Sequence, residues 1–239
     1  MINKTLEELR AQENSYLPGV DVSYHLQKVT LAAVIGPVAV GKTTCLNYIS
    51  TNSSEIGRVQ SFTTRPARPD DPLGDYRYLK HSAENIAVIA SKANAGELVQ
   101  YAVHPTTGYV YGSEASDYYR PYMMLTALAN SISGLRRLPF KGIVELCLVS
   151  EPNEWLRRIS SRSSNEDRLK RLKEGIASLE WCLDQGSAMS WLCSSAGIDK
   201  LPAVCNDMQL IIKGELEPNS NNREIGIKLL SKIRKQTAV

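Results

Sequence analysis

The stretch from Val29 to Thr44 constrains the fold more than any other part of the chain. An apolar run, Val29–Ile35, leads directly into Gly36–Thr43, which matches the pattern G-x-x-x-x-G-K-[ST]. Glycines at this spacing let backbone N–H groups converge on a β-phosphate, while the lysine reaches the β and γ oxygens and the hydroxyl binds Mg²⁺. Thr44–Ile49 then predicts a helix that directs its positive dipole end at the phosphates. We therefore predict a buried strand, a phosphate-binding loop and a helix, with an ordinary strand-turn-helix as the alternative.

Size and composition limit the other possibilities. The chain has 239 residues, of which 43% are apolar, enough for one large domain with small inserted lobes. A net charge of +3 is too small to indicate a nucleic-acid or membrane partner. The five cysteines contain no C-x-x-C pair, and the N-terminal residues are charged instead of apolar, so we expect reduced thiols in a cytoplasmic protein.

A loop rich in arginine and proline follows the predicted helix. Arg65 and Arg68 lie three residues apart between prolines, which predicts a stiff pair of guanidinium groups suited to bind a dianion. The alternative is that both arginines pair with Asp70 and Asp71 on a solvent-exposed loop.

This loop carries a resemblance to a known family. Its pattern, Ser-x-Thr-Thr-Arg-x-x-Arg followed by an acidic residue, a glycine and Asp-Tyr, resembles the acceptor-phosphate loop of guanylate kinases. The resemblance implies that Ser61, Arg65, Arg68 and Tyr76 bind the phosphate of a nucleoside monophosphate. The later sequence Tyr-Gly-Ser at 111–113 is similar to the family's Tyr-Gly-[ST], which adds Tyr111 and Ser113 to the predicted acceptor site.

Two motifs depart from the family pattern, at three positions in all. Gln100 stands where the family has a glutamate that accepts hydrogen bonds from guanine, and a neutral amide loses the charge-assisted pair. Leu125 and Ala127 stand where the family has Asp-x-Asp, of which one carboxylate faces guanine and the other lies near Mg²⁺. Base recognition therefore differs, or the acids come from elsewhere, or the site has decayed.

The C-terminal half resembles the family's lid and last strand. A strand at Ile143–Val149 precedes a helix with Pro152 in its first turn. The resemblance implies that arginines on both sides of a polar hinge close over ATP; they are Arg158, Arg162 and Arg171. A solvated basic helix face is the alternative. We also predict a last strand at Leu201–Asp207, and the resemblance implies that Asn206 lies against adenine.

The resemblance implies an α/β P-loop kinase fold with a parallel sheet core, a small inserted acceptor-binding lobe of short strands, and a helical lid. The predicted parts are an N-terminal extension at 1–28, a core at 29–57 and 114–239 with the lid at about 158–171, and the acceptor lobe at 58–113. Local patterns further predict a capping box at Thr5–Glu8, a strand at Gly57–Phe62 and a helix at Ser82–Ala95.

The function so implied is ATP- and Mg²⁺-dependent phosphorylation of a nucleoside monophosphate, with GMP the favoured acceptor. The predicted ATP-binding residues are Gly36, Ala39, Val40, Gly41, Lys42, Thr43, Thr44 and Asn206; the acceptor residues are Ser61, Arg65, Arg68, Tyr76, Gln100, Tyr111 and Ser113; the catalytic residues are Lys42, Arg158, Arg162 and Arg171; and the Mg²⁺ ligand is Thr43. Two alternatives stay open. One is the same chemistry on another phosphorylated acceptor, and the other is a non-catalytic module that binds phosphopeptides.

Overall fold

A computed structural model describes residues 2–68, 71, 74–160, 165–194, 200–217 and 219–237, apart from the side chains of 165–168. The helices are α1 (Ile2–Glu13), α2 (Val20–Leu26), α3 (Lys42–Asn52), α4 (Ala83–Asn94), α5 (Ile132–Leu135), α6 (Pro152–Ser160), α7 (Asn165–Asp184), α8 (Leu201–Lys213) and α9 (Arg223–Thr237). The strands are β1 (Thr30–Ile35), β2 (Ile56–Arg58), β3 (Phe62–Thr63), β4 (Arg77–Tyr78), β5 (Leu98–Val103), β6 (Val110–Glu114), β7 (Tyr122–Thr126), β8 (Gly142–Val149) and β9 (Ser190–Cys193).

The strands form two sheets, and the chain divides into two compact units. A five-stranded parallel sheet has the order β2-β7-β1-β8-β9, and a four-stranded sheet has the order β4-β3-β6-β5. The first unit comprises Met1–Thr30, Gly57–Met123 and Gly134–Gly142, and the second comprises Leu31–Ile56, Met124–Ser133 and Ile143–Val239. The predicted α/β fold with a parallel sheet is confirmed.

In the first unit, α1 and α4 pack on one face of the smaller sheet. Leu6 and Leu9 of α1 join a buried apolar cluster with Ile86 and Ile89 of α4. The hydroxyl of Tyr101, on β5, donates to the carbonyl of Leu9 at 3.1 Å. The N-terminal segment, to which the sequence assigned no role, therefore supplies part of this unit's core.

In the second unit, a buried strand brings the chain to the phosphate-binding loop. Every residue of β1 after Thr30 is buried, as expected for a central strand covered on both faces. The last two strands of the sheet, β8 and β9, run parallel, with Cys147 opposite Trp191 and Val149 opposite Cys193. In the part of the chain that the structure describes, no helix is long and apolar enough to cross a bilayer.

Some local predictions are confirmed and others are wrong. The helix at 82–95 is confirmed as α4, and the hydroxyl of Ser82 caps it by accepting from the N–H of Asn85 at 3.3 Å. The capping box at Thr5–Glu8 is wrong, because α1 begins at Ile2 and Thr5 lies inside it. The strand at Gly57–Phe62 is wrong as a single element, because the chain leaves the larger sheet after β2 and enters the smaller one at β3.

The predicted last strand, Leu201–Asp207, is also wrong, because this segment is the first half of α8. Its short apolar run fits a strand when taken alone, but the buried residues recur at helical spacing: Val204, Cys205, Met208, Ile211 and Ile212. Pro202, in the first turn, is compatible with a helix start. The last strand of the sheet is β9, which comes earlier in the chain.

Candidate functional site

The glycines of the phosphate-binding loop are required by its geometry. Gly36 has φ 139°, and a Cβ there would lie 2.2 Å from the carbonyl oxygen of Leu148 on β8. Gly41 has φ 99° and forms the N-cap of α3. Ala39 also has a positive φ, 67°, although it is not glycine. The predicted sequence of strand, tight loop and helix is therefore present at Thr30–Asn52.

The N-terminus of α3 is open to an anion. The N-cap is Gly41, which has no side chain to cap the helix. The first backbone N–H groups of a helix have no intrahelical acceptor, and the helix dipole places positive charge beside them. Thr43 lies in this first turn and is half-buried, whereas Thr44 is exposed. This arrangement suits a phosphate, with the Thr43 hydroxyl available to a cation bound beside it.

Lys42 folds back over its own loop. Its Nζ donates to the carbonyl oxygens of Gly36 and Pro37, at 2.6 and 2.8 Å. The residue as a whole is partly accessible to solvent, but protein surrounds the ammonium group. Burial lowers the pKa of Lys42 from 10.5 to about 8, against weaker effects of Cys147, Cys182 and Glu174 that raise it. An anion placed in the loop would raise this pKa again, because it favours the charged form of the lysine.

Of the predicted lid arginines, Arg158 is brought to the loop. Its Nη1 lies 3.4 Å from the carbonyl oxygen of Val40 and 3.2 Å from the hydroxyl of Ser194. Its Nε donates to Glu154 one helical turn earlier, at 2.8 Å. Arg162 lies outside the described residues, and Arg171 is half-buried on α7. The same helix meets the loop one turn later, since a Cβ on Gly175 would lie 3.3 Å from Pro37.

The first unit carries a second cluster suited to an anion, centred on Arg65. Its guanidinium group donates to both carboxylate oxygens of Asp71, at 2.7 and 3.0 Å. The same carboxylate accepts from the backbone N–H of Arg68 at 2.6 Å and from the hydroxyl of Tyr78 at 2.8 Å. The hydrogen bonds from Arg65 hold the pKa of Asp71 well below its ordinary value. Asp71 thus occupies a set of donors that fits one phosphate group.

Tyrosine rings surround this guanidinium group. The Cζ of Arg65 lies 5.5 Å from the ring centre of Tyr76 and 5.6 Å from that of Tyr78. Tyr76 meets the ring of Tyr111 edge to face, with centroids 6.0 Å apart. Three predicted acceptor residues, Arg65, Tyr76 and Tyr111, are therefore neighbours. Pairing of Arg65 with Asp71, one part of the alternative prediction, is also present, although Arg65 is buried and not on a solvent-exposed loop; Asp70 lies outside the described residues.

Strand register places further predicted residues on one face of the smaller sheet. On one side of β6, Tyr111 pairs with Thr63 of β3. On the other side, Ser113 pairs with Gln100 of β5. Directly opposed residues and alternate residues of a strand share a face, so Gln100, Tyr111 and Ser113 lie together. The opposite face carries Phe62 and belongs to the apolar core with α1 and α4. The predicted acceptor residues and the apolar core thus lie on opposite faces of the sheet.

Other predicted residues stand less directly at a site. The hydroxyl of Ser113 is fully buried and hydrogen-bonded to the hydroxyl of Tyr118, at 3.1 Å. The side chain of Arg68 is exposed, and the carbonyl of half-buried Ser61 accepts from the N–H of Arg77 at 2.9 Å. Asn206 is exposed on α8. Its assignment to adenine depended on a strand at 201–207, and this segment is a helix instead.

Two further side chains, which the sequence pattern did not indicate, touch the loop. The indole Nε1 of Trp155 donates to the carbonyl oxygen of Val38 at 2.9 Å. The hydroxyl of Ser194, directly after β9, donates to the carbonyl oxygen of Val40. Neither contact has a local sequence signal, because each partner lies more than a hundred residues away along the chain.

The residues of the loop fit the phosphates of ATP and an accompanying Mg²⁺. An uncapped helix N-terminus, a lysine in the loop and a first-turn hydroxyl fit a nucleotide phosphate chain and its Mg²⁺. Leu125 and Ala127 provide no carboxylate, and no group of three or more metal-binding side chains lies within the described ranges. Mg²⁺ often binds through substrate phosphates and water with few protein ligands, so the donor set fits a nucleotide-borne ion.

Comparison with known proteins gives a likeness of fold. No family model matches the sequence, and no curated protein matches it. Among solved structures, the chain is similar to the crystal structure of guanylate kinase from Anaplasma phagocytophilum, with 18% sequence identity and a TM-score of 0.44. The match covers 87% of this chain and 94% of that chain. None of the residue assignments depends on this likeness.

Proposed function

We propose that the chain transfers the γ-phosphate of ATP to a nucleoside monophosphate, with GMP the favoured acceptor. The observation that carries the proposal is that each unit contains a separate arrangement of donors suited to an anion. The glycine-shaped loop with Lys42 suits the donor phosphates. Arg65, with Tyr76 and Tyr111 beside it, suits the phosphate of the acceptor. A protein that only hydrolysed or only bound a nucleotide would need the first arrangement but not the second.

The chemistry needs cations and positioning more than a general base. A monophosphate oxygen is already ionised at neutral pH and can attack the γ-phosphorus directly. In this proposal the N–H groups of the loop and Lys42 hold the donor. Arg158, Arg162 and Arg171 neutralise the charge that spreads over the transferred group. Thr43 and the phosphates would hold Mg²⁺, which would supply positive charge to the reacting phosphates.

On the acceptor side, the phosphate would replace Asp71. A phosphate presents oxygens to the same donors: the guanidinium group of Arg65, the backbone N–H of Arg68 and the hydroxyl of Tyr78. The aromatic rings limit the accessible directions and so favour one orientation of the phosphate. Ser61, Gln100 and Ser113 stay in the proposal as members of the acceptor site, and Asn206 is left out of it.

A second candidate keeps the reaction and changes the acceptor. It is favoured by Gln100, which replaces a carboxylate with a neutral amide, and by Leu125 and Ala127, which bring no acid to the guanine edge. A glutamine amide presents one donor and one acceptor, so it suits base edges that offer the complementary pair. Another nucleoside monophosphate, or a phosphorylated sugar, is the acceptor in this case.

One assay tests both candidates. Purified protein is incubated with ATP, Mg²⁺ and single acceptors from a panel of nucleoside monophosphates and sugar phosphates, and ADP release is followed. Turnover with GMP alone supports the first candidate, and turnover with another acceptor supports the second. Lys42→Ala should abolish turnover, whereas Lys173→Ala, at an exposed position on α7, should not. Silence with every acceptor would contradict the proposed transfer.

A further inference from the structure

Two carbonyl groups of the phosphate-binding loop are held from outside by side chains distant in sequence. The carbonyl of Val38 accepts from the indole N–H of Trp155, at 2.9 Å. The carbonyl of Val40 accepts from the hydroxyl of Ser194, and Arg158 approaches the same oxygen at 3.4 Å. Trp155 and Arg158 lie three residues apart on α6 and hence on one face of that helix.

These contacts fix the direction of the N–H groups that follow. No peptide bond among the described residues is cis, and in a trans peptide the N–H points opposite to the carbonyl. Because Trp155 holds the Val38 carbonyl, the N–H of Ala39 points away from α6. Because Ser194 holds the Val40 carbonyl, the N–H of Gly41 points away from the end of β9. The positive φ of Ala39 and Gly41, 67° and 99°, is typical of backbone that gathers N–H groups into an anion-binding concavity.

We propose that Trp155 and Ser194 are positioning residues that hold the loop N–H groups in the orientation that binds the donor phosphates. The inference rests on the proposed function, because it assigns these residues to the same ATP site. Neither side chain needs to touch the nucleotide. Each acts by preventing a peptide of the loop from rotating, so that the anion does not have to order the loop on binding.

A purely packing role for Trp155 is the competing explanation, and Trp191 provides the comparison. Both tryptophans are fully buried, at 0% exposure. The indole N–H of Trp191 has no hydrogen-bond partner among the described residues. A buried indole N–H in this protein therefore does not always find a carbonyl. The contact between Trp155 and Val38 is a specific feature of the loop, and the two residues form a matched pair for substitution.

The test compares Trp155→Phe with Trp191→Phe. Each change removes one indole N–H and similar side-chain volume, but only the first removes a hydrogen bond to the loop. ADP and inorganic tripolyphosphate are used to displace a fluorescent ADP analogue, well below the melting temperature of each variant. Since one hydrogen bond contributes about 1 kcal/mol, we expect Trp155→Phe to raise the Kd of both ligands by about five- to tenfold. Trp191→Phe should leave both affinities within about twofold.

Turnover gives a second readout that a general loss of stability would not produce. In Trp155→Phe the KM for ATP should rise while the KM for the acceptor stays unchanged. If Trp155→Phe does not fold, Ser194→Ala replaces it, with Ser178→Ala at another buried serine as the control. Equal effects in the two members of a matched pair would overturn the positioning role while leaving the proposed function intact. Failure of the unaltered chain to bind ADP would overturn both.

Discussion

Replacing Lys42 with methionine separates the stability of the empty loop from its ability to bind a nucleotide. The pKa of Lys42 falls from 10.5 to about 8, and a shift of this size corresponds to about 3 kcal/mol against the charged form. The variant loses the hydrogen bonds that the ammonium group donates to Gly36 and Pro37, which contribute about 1.5 kcal/mol each because the donor is charged. These two effects nearly cancel. At neutral pH the free energy of unfolding of Lys42→Met should therefore lie within about 1 kcal/mol of that of the unaltered chain.

The pH dependence gives the sharper form of this prediction. Between pH 8 and 10.5 the unfolded chain keeps a proton on Lys42 that the folded chain has released. The unfolded state then binds more protons, so the lysine makes the free energy of unfolding rise with pH in this window. Urea unfolding of both proteins at neutral pH and at pH 10 measures the rise. The difference between them isolates Lys42, because all other groups titrate alike.

Addition of ADP completes the experiment. A ligand at a hundred times its Kd stabilises the folded state by about 2.7 kcal/mol. ADP should stabilise the unaltered chain by this amount but should not stabilise Lys42→Met. Lys173→Met, at an exposed position, is the control and should behave as the unaltered chain. The reasoning is refuted if Lys42→Met is destabilised by more than about 2 kcal/mol without nucleotide, or if ADP stabilises it as much as the parent.

Three further predictions concern the first unit. Asp71→Asn should lower the free energy of unfolding by about 1–3 kcal/mol, because it leaves the guanidinium group of Arg65 without its carboxylate, and added phosphate should restore more stability in this variant than in the parent. Arg65→Lys should raise the KM for the acceptor about tenfold or more without changing that for ATP, since lysine lacks the bidentate geometry. Ser113→Ala should cost about 1–3 kcal/mol of stability by leaving the buried hydroxyl of Tyr118 unsatisfied, which urea unfolding measures.

Controls make these outcomes specific. Asp207→Asn repeats the change at Asp71 on an exposed helix position and should alter neither stability nor the effect of phosphate. If phosphate stabilises Asp71→Asn no more than it stabilises the parent, Asp71 does not occupy an anion site. An equal rise in both KM values would remove Arg65 from the acceptor site. A Ser113→Ala variant of unchanged stability would mean that the contact with Tyr118 contributes nothing.

Features encoded by neighbouring residues were predictable from the sequence. The glycines, Lys42 and Thr43 lie within one short segment, and the loop they predict is present because its geometry is local. The cap of α4 at Ser82 depends equally on residues three apart. The sequence also anticipated that Arg65 and Tyr76 belong to one cluster, although that prediction came from a family resemblance.

Features that depend on tertiary contacts were not predictable in the same way. Trp155 reads as an ordinary core residue until the fold brings α6 against the loop. The hydroxyl of Ser113 is buried because Tyr118 lies within reach, which no strand pattern specifies. The apolar run around Val204 suits a strand or a helix, and only burial at Met208 and Ile211 decides for the helix. Sequence spacing thus indicated the candidate anion-binding groups better than the residues that contact them.

The central claim is that the chain moves a phosphate from ATP to a phosphorylated acceptor, and ³¹P NMR of the reaction tests it most directly. Protein, ATP and Mg²⁺ are mixed with GMP, and then with each other acceptor. We expect the γ-phosphate signal of ATP to be replaced by a new diphosphate signal in the acceptor, at equal stoichiometry with ADP, and we expect Arg65→Lys to suppress this transfer. Loss of the γ-phosphate signal into inorganic phosphate alone, or no change with any acceptor, would contradict it.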